Sequence, residues 1–193
     1  FRKDVVGTMP DYKIVSDTLV YDTDNEMMYF YGPTTIYNKD NILYGNYGWY
    51  NTETELAYLD KRATLRNKEQ SMTADTIYYN KKTGYAKALS DVVIEDTVNK
   101  AIVKGEFAEL WKNNGKCMMT DNLRAIYYEE QDTLFATADT VYLYFDTLNN
   151  DIQRVKAFYN VRFFRKDIQG KCDSLHYVMS DSTVYMRYEP ILW

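Results

Sequence analysis

At 193 residues the chain is long enough for one domain or one elongated stack of repeats, and with 46% hydrophobic residues it is not a disordered tail. Its net charge of −5 is spread along the sequence with no Lys/Arg-rich run, which argues against nucleic acid as a partner. No stretch approaches the roughly 18 apolar residues a membrane-spanning helix needs. The composition favours strands: 20 Tyr, 8 Phe and 3 Trp stand against only 8 Gly and 3 Pro, and aromatic side chains suit a pleated, half-buried surface. The opening Phe1-Arg2-Lys3-Asp4 has neither an apolar signal core nor an initiator Met and reads as the start of a mature or trimmed chain.

In chain order, the first element is Ser16-Asp17-Thr18-Leu19-Val20-Tyr21. It returns as Ala74-Asp75-Thr76-Ile77-Tyr78-Tyr79 and as Ala138-Asp139-Thr140-Val141-Tyr142-Leu143, with a weaker echo at Ser180-Asp181-Ser182-Thr183-Val184-Tyr185. The aspartates lie 58 (Asp17 to Asp75) and 64 (Asp75 to Asp139) residues apart. After each comes a β-rich run behind a turn residue: Gly32-Pro33-Thr34-Thr35-Ile36, Ser90-Asp91-Val92-Val93-Ile94 and Tyr159-Asn160-Val161-Arg162-Phe163. A glycine then opens a further strand, at Gly45, Gly105 and Gly170, which lie 28, 30 and 31 residues past their aspartates. A single elongated domain over 1–193 is expected, with three repeats at about 16–71, 72–136 and 137–193.

Asn38-Lys39-Asp40-Asn41, Asn80-Lys81-Lys82-Thr83-Gly84, Asn113-Asn114-Gly115 and Asn149-Asn150-Asp151 separate strand-like runs. Asn, Asp and Gly tolerate the left-handed backbone of tight hairpins, so many short antiparallel strands are expected. Thr54 to Leu65 also admits a short helix, or two strands around Asp60-Lys61. Period-two alternation puts Leu19 and Tyr21, Ile77 and Tyr79, and Val141 and Leu143 on one face. In all three copies this face is apolar or Tyr, and it is the expected floor of the core.

Chemistry-bearing residues are scarce. Cys172, Asp173 and His176 invite a nucleophile or zinc reading. One His and two distant Cys cannot complete a structural zinc site, and residues 172 and 176 of one strand share a face more than about 10 Å apart. Acidic pairs such as Asp22/Asp24, Glu129/Glu130 and Asp146/Asp151 flank turns, and no two acids are singled out as a glycosidase pair. Asp17, Asp75 and Asp139 fit a local bond to backbone better than calcium. No catalytic residue, metal ligand or cofactor is assigned. Cys117 and Cys172 occupy different places in the repeat and are not expected to be an essential staple.

The pattern Ala-Asp-Thr-apolar-Tyr, then Asp91-Val92-Val93-Ile94, then Gly105-Glu106-Phe107-Ala108-Glu109-Leu110, resembles the OstA-like family, which includes the periplasmic lipopolysaccharide-transport protein LptA. The second copy matches best. In the first, Pro33 replaces the usual residue before the strand, and in the third Asp173 stands where Ala108 does. The resemblance spans roughly residues 16–186, and its Tyr- and Asn-rich dialect resembles the Bacteroidetes branch. It implies an all-β fold of repeated antiparallel strands in a twisted, slit-open β-jellyroll. It further implies non-enzymatic binding and transfer of lipopolysaccharide, with lipid A acyl chains against Leu19, Tyr21, Ile77, Tyr79, Val141 and Leu143. Lys87, Lys104, Arg154 and Lys156 are then candidates for pairing with lipid phosphates. Other transport components would dock through edge strands, copies would join end to end, and the chain would be periplasmic or face the periplasm from an outer-membrane assembly. Two rivals stay open. A carbohydrate-binding β-sandwich would group Trp49, Tyr50 and Trp111 on one flat face, and a structural β-repeat without a small ligand would have a filled interior.

Overall fold

The computed structural model describes residues 2–10, 12–128 and 132–193; Phe1 and the Glu129/Glu130 pair lie outside them. In chain order the strands are β1 (Arg2–Thr8), β2 (Tyr12–Asp22), β3 (Met27–Asn38), β4 (Ile42–Asn51), β5 (Leu56–Asp60), β6 (Ala63–Arg66), β7 (Gln70–Ala74), β8 (Thr76–Asn80), β9 (Tyr85–Asp96), β10 (Ala101–Trp111), β11 (Lys116–Tyr128), β12 (Thr133–Phe145), β13 (Ile152–Arg165), β14 (Ile168–Val178), β15 (Thr183–Arg187) and β16 (Ile191–Leu192). They form one 16-stranded sheet whose described pairings are antiparallel, and sequence neighbours pair almost throughout. Helix among the described residues is confined to a three-residue 3-10 turn, Lys112–Asn114. The segment that admitted a helix, Thr54 to Leu65, is instead a turn followed by β5 and β6.

The turn chemistry works as the Asn and Asp side chains imply. The Asn38 Oδ1 accepts from the backbone N–H groups of Asp40 and Asn41, and Asn67 and Asp96 close their turns in the same way.

The turn residues of the second landmark, at Gly32, Ser90-Asp91 and Tyr159-Asn160, have another role. They do not end strands. They bend them. Non-helical backbone with positive φ occurs at Lys3/Asp4, Gly32, Lys61/Arg62, Ser90/Asp91, Asp121/Asn122, Tyr159/Asn160 and Tyr188/Glu189. Each site faces a single residue on the next strand, so the register slips around Asp17, Asn46, Asp75, Glu106, Asp139 and Asp173. Two residues opposed to one make a β-bulge, which bends the strand and raises its twist. The bends recur every 29 residues from Lys3 through Gly32 and Lys61 to Ser90, so each sequence copy spans two of them.

Asp17, Asp75 and Asp139 hold equivalent positions. At these sites the Asp75 N–H donates to the Ser90 carbonyl at 2.9 Å, and Asn160 Nδ2 donates to the Asp139 carboxylate at 3.1 Å. Gly45, Gly105 and Gly170, expected to open strands, lie within β4, β10 and β14. At the first two the interior is too narrow for a side chain: a Cβ on Gly45 would come 3.0 Å from Leu59 Cβ, and one on Gly105 2.9 Å from Met119 Cγ.

The aligned bends fold the sheet into two half-sheets that share a core. Tyr12 and Tyr50 belong to opposite ends of the strands and would be roughly 30 Å apart in a flat sheet at about 3.3 Å per residue. Their ring centroids are 5.3 Å apart, edge to face. One core cluster takes Ile14, Ile36, Leu43 and Met72 from one half-sheet and Leu19, Phe30, Leu59 and Ile77 from the other. At the apex, Ser16 and Thr34 are buried and satisfied: their hydroxyl oxygens lie 2.7 Å apart and 3.0 Å from the Thr18 and Gly32 carbonyls respectively, so one hydroxyl donates to the other and the second to its carbonyl.

Two outcomes follow for stability. Phe30→Ala, at a fully buried side chain, should cost about 3–5 kcal/mol in chemical denaturation. Asn122→Val, forcing a β-branched residue to a φ of 55°, should cost about 1–3 kcal/mol, while Asn122→Gly costs a fraction of that. Equal losses for Val and Gly would remove backbone conformation as the cause.

Candidate functional site

The six singled-out residues fall on two adjacent rows of one half-sheet. The first row runs Leu19, Phe30, Gly48, Leu59, Ile77, Ala88, Ala108, Met119, Val141, Ala157, Leu175, Met186 across twelve strands. The second runs Tyr21, Met28, Tyr50, Ala57, Tyr79, Ala86, Leu110, Cys117, Leu143, Val155, Tyr177, Val184. Leu19, Ile77 and Val141 share the first row, and Tyr21, Tyr79 and Leu143 the second. Neither row carries a charged side chain.

Sequence reading missed the facing wall. On the other half-sheet a matching row runs Ile14, Ile36, Leu43, Leu65, Met72, Ile94, Val103, Ala125, Ala136, Phe163, Gly170, Leu192. The cause is the bulge. Crossing it shifts the alternation by one residue, so the inward positions of β2 are Ile14 and Ser16 before Asp17 but Leu19 and Tyr21 after it. A single period-two reading cannot hold across such a step. The same shift separates Cys172 from His176. Cys172 is buried opposite Val161, while His176 lies in the outward row between Lys156 and Tyr185. The two therefore do not share a face, contrary to the four-residue spacing.

The interior changes along the stack. From β2 to β11 it is filled: Phe30, Leu59, Ile77 and Ala88 are buried, and Tyr50 and Tyr79 are buried near the strand ends. The slit between the half-sheets is bridged there by the Tyr12–Tyr50 contact, beside a small cleft lined by Tyr12, Ile36, Asn38, Leu43, Tyr50, Ala57, Tyr79 and Lys81. Burial raises the Tyr79 hydroxyl pKa, and Asp40 and Glu55 add to the shift. Tyr21, at the start of the row, is partly exposed and donates to the Glu26 carboxylate.

From β12 onward only the apex stays closed, around Ala138, Ala157, Val161 and Cys172. Val141, Leu143, Val155, Leu175, Tyr177 and Phe163 are half-buried, and Val184 is 48% exposed. The same apolar rows thus pass from a packed core to an open trough.

The four candidate cations point away from this trough. Lys87 stands over the Phe107 ring at 5.4 Å, and Arg154 and Lys156 stand over Tyr144 at 5.0 and 5.6 Å. Lys104 pairs in register with Val93 and Arg124 on the outer face. The aromatic grouping wanted for a flat glycan platform does not form from the residues proposed. Trp49 is outward and stacked on Tyr58, Tyr50 is inward and buried, and Trp111 packs by Tyr85 in a separate row. Both cysteines are free and buried. Burial pushes the Cys117 thiol up to about 12 and also raises that of Cys172. Iodoacetamide at pH 8 should therefore leave Cys117 of the folded protein unmodified while alkylating both residues in denaturant. Rapid alkylation of native Cys117 would place it outside the core.

Residues 1–75 match the family described as OstA-like protein. The crystal structure of LptH, the LptA-homologous periplasmic component of the lipopolysaccharide transport device from Pseudomonas aeruginosa, is similar in fold. Its TM-score is 0.54 at 15% identity, over 64% of this chain and 93% of that one. No curated protein matches the chain in sequence. Residues 1–75 thus resemble the OstA-like family, and the chain's fold is the antiparallel β-jellyroll of the LptA type.

Proposed function

We propose that this OstA-like chain binds lipopolysaccharide without catalysis and passes it on, its acyl chains lying along the two apolar rows that hold Leu19, Tyr21, Ile77, Tyr79, Val141 and Leu143. The observation that carries the reading is the continuity of those rows. Twelve strands contribute an apolar, Tyr or Cys side chain at every step but Gly48, and none contributes a charge. An acyl chain gains about 0.8 kcal/mol for each methylene removed from water and loses that gain wherever it meets a buried charge.

The acyl chains enter in the layers from β12 to β15, where Val141, Leu143, Val155 and Leu175 are half-buried. The packed layers toward β2 continue the same row behind the Tyr12–Tyr50 contact. The filled N-terminal layers are what a purely structural β-repeat would also show, and the open C-terminal layers favour the carrier. Transport in the periplasm follows from the same reading, which agrees with LptH being a periplasmic component of a lipopolysaccharide transport device. Partner components and further copies of the chain then dock on the free edges, β1 at one end and β15–β16 at the other. Unpaired edges accept an added strand through main-chain hydrogen bonds.

A photo-crosslinking residue at Leu143 or Val155 should capture labelled lipopolysaccharide, whereas one at Thr137 or Arg162, exposed outward positions of the same two strands, should not. Val141→Asp should weaken lipid A binding at least tenfold while circular dichroism stays unchanged, since a half-buried position lets the carboxylate reach water. Equal labelling of inward and outward positions, or none from folded protein, would overturn the proposal.

A further inference from the structure

The outer face of β11–β15 carries a group of cations that the acyl trough does not use. Lys116, Tyr144 and Arg154 pair across three strands in one outward row. Met118, Tyr142, Lys156, His176 and Tyr185 form the next. The Lys116 ammonium stands 4.8 Å from the Tyr142 ring centroid and 4.9 Å from that of Trp111. Arg154 and Lys156 share the Tyr144 ring from 5.0 and 5.6 Å. The ion pairs among the described residues lie elsewhere, at Arg62–Asp91, Lys81–Glu55 and Arg165–Asp167. Among the described residues, Lys116, Arg154 and Lys156 thus have aromatic faces beneath them and no carboxylate within ion-pair distance. This positive surface sits on a chain whose net charge is −5, so it is not part of a general cationic coat.

A second observation supports an uncompensated field at the same place. The His176 imidazole pKa is lowered, first by burial and then by Lys156, Arg154 and Arg187. Its Nε2 is buried and without a hydrogen-bond partner among the described residues.

We propose that this face binds an anionic saccharide, with Lys116, Arg154 and Lys156 holding its phosphate or carboxylate groups and Tyr142 and Tyr144 supplying ring faces for its sugars. Neighbouring strands about 4.8 Å apart and alternate residues about 6.8 Å apart along a strand set the cations at the separations of substituents on adjacent sugar rings. A guanidinium pairs with phosphate in two parallel hydrogen bonds, and an ammonium adds a point charge. The proposal deepens the lipopolysaccharide reading, on which it rests for the source of the sugar. The acyl chains take the inward face of β12–β14, and the anionic saccharide takes the outward face of the same strands.

The test uses the phosphorylated oligosaccharide left by complete deacylation of lipopolysaccharide, followed by calorimetry and by the proton resonances of His176, the chain's one histidine. Binding should fall at least tenfold for R154Q/K156Q and for the enzymatically dephosphorylated sugar. It should also raise the His176 pKa by about half a unit as the neighbouring cations are neutralised, and that shift should vanish in R154Q/K156Q. Glucose 6-phosphate binding as tightly as the oligosaccharide would support the anionic-sugar site and make a free sugar phosphate its source. Inorganic phosphate binding as tightly, or oligosaccharide binding untouched by R154Q/K156Q, would overturn it. Crosslinking of lipid A at Leu143 reads the other proposal separately. Saccharide binding without interior crosslinks would remove the acyl trough alone, and interior crosslinks without saccharide binding would remove this site alone.

Discussion

The two-against-one bulge is the constraint from which the rest of the structure follows. A flat antiparallel sheet of this length would bury nothing. A bend at one fixed height in every strand pair turns it into two walls with an interior. Because the bulged residues fall on alternate strands, at twice the hairpin interval, each faces one residue of the strand on either side, so successive bulges stack and the fold line runs the length of the sheet. The cost is left-handed backbone at each step, one residue at Gly32 and a pair at the others, and Gly, Asn, Asp or Ser meets it at about half of the positions. Tyr159 and Lys61 are less suited, and they are held by neighbours already in register on both sides.

The apex dictates side-chain size. Close to the fold line the walls nearly touch, so Gly45, Ala63, Ala74, Gly105 and Ala138 occupy it. Further out, larger residues span the gap: Phe30, Tyr50 and Tyr79 fill the N-terminal layers, whereas Val141, Leu143 and Val155 leave the C-terminal layers open. One apolar row therefore has two physical roles along its length. Aromatic rings make it a core at one end, and branched aliphatic side chains leave a trough at the other.

Much of this was legible in the sequence. Tyr content and Asn-rich turns gave the strands, and the repeated Asp-Thr motif gave equivalent positions in the layers. Alternation placed Leu19, Ile77 and Val141 on one row. What stayed hidden traces to the bulge. Ser90-Asp91 and Tyr159-Asn160 have the composition of hairpin turns, and only pairing on both sides shows that the strand continues through them. The slip they introduce hid the facing row of Ile36, Leu43 and Phe163 and put Cys172 and His176 on opposite faces. Lys116 drew no notice because its partners Trp111, Tyr142 and Tyr144 lie on the two strands that flank its own.

The central claim is that the open end of the apolar row holds acyl chains. Intermolecular nuclear Overhauser effects between lipid A methylenes and methyl-labelled protein test it most directly. The account predicts contacts to Val141, Leu143, Val155 and Leu175, with none to the outward methyl of Met118. Contacts at Met118 and none at the four inward residues would contradict it.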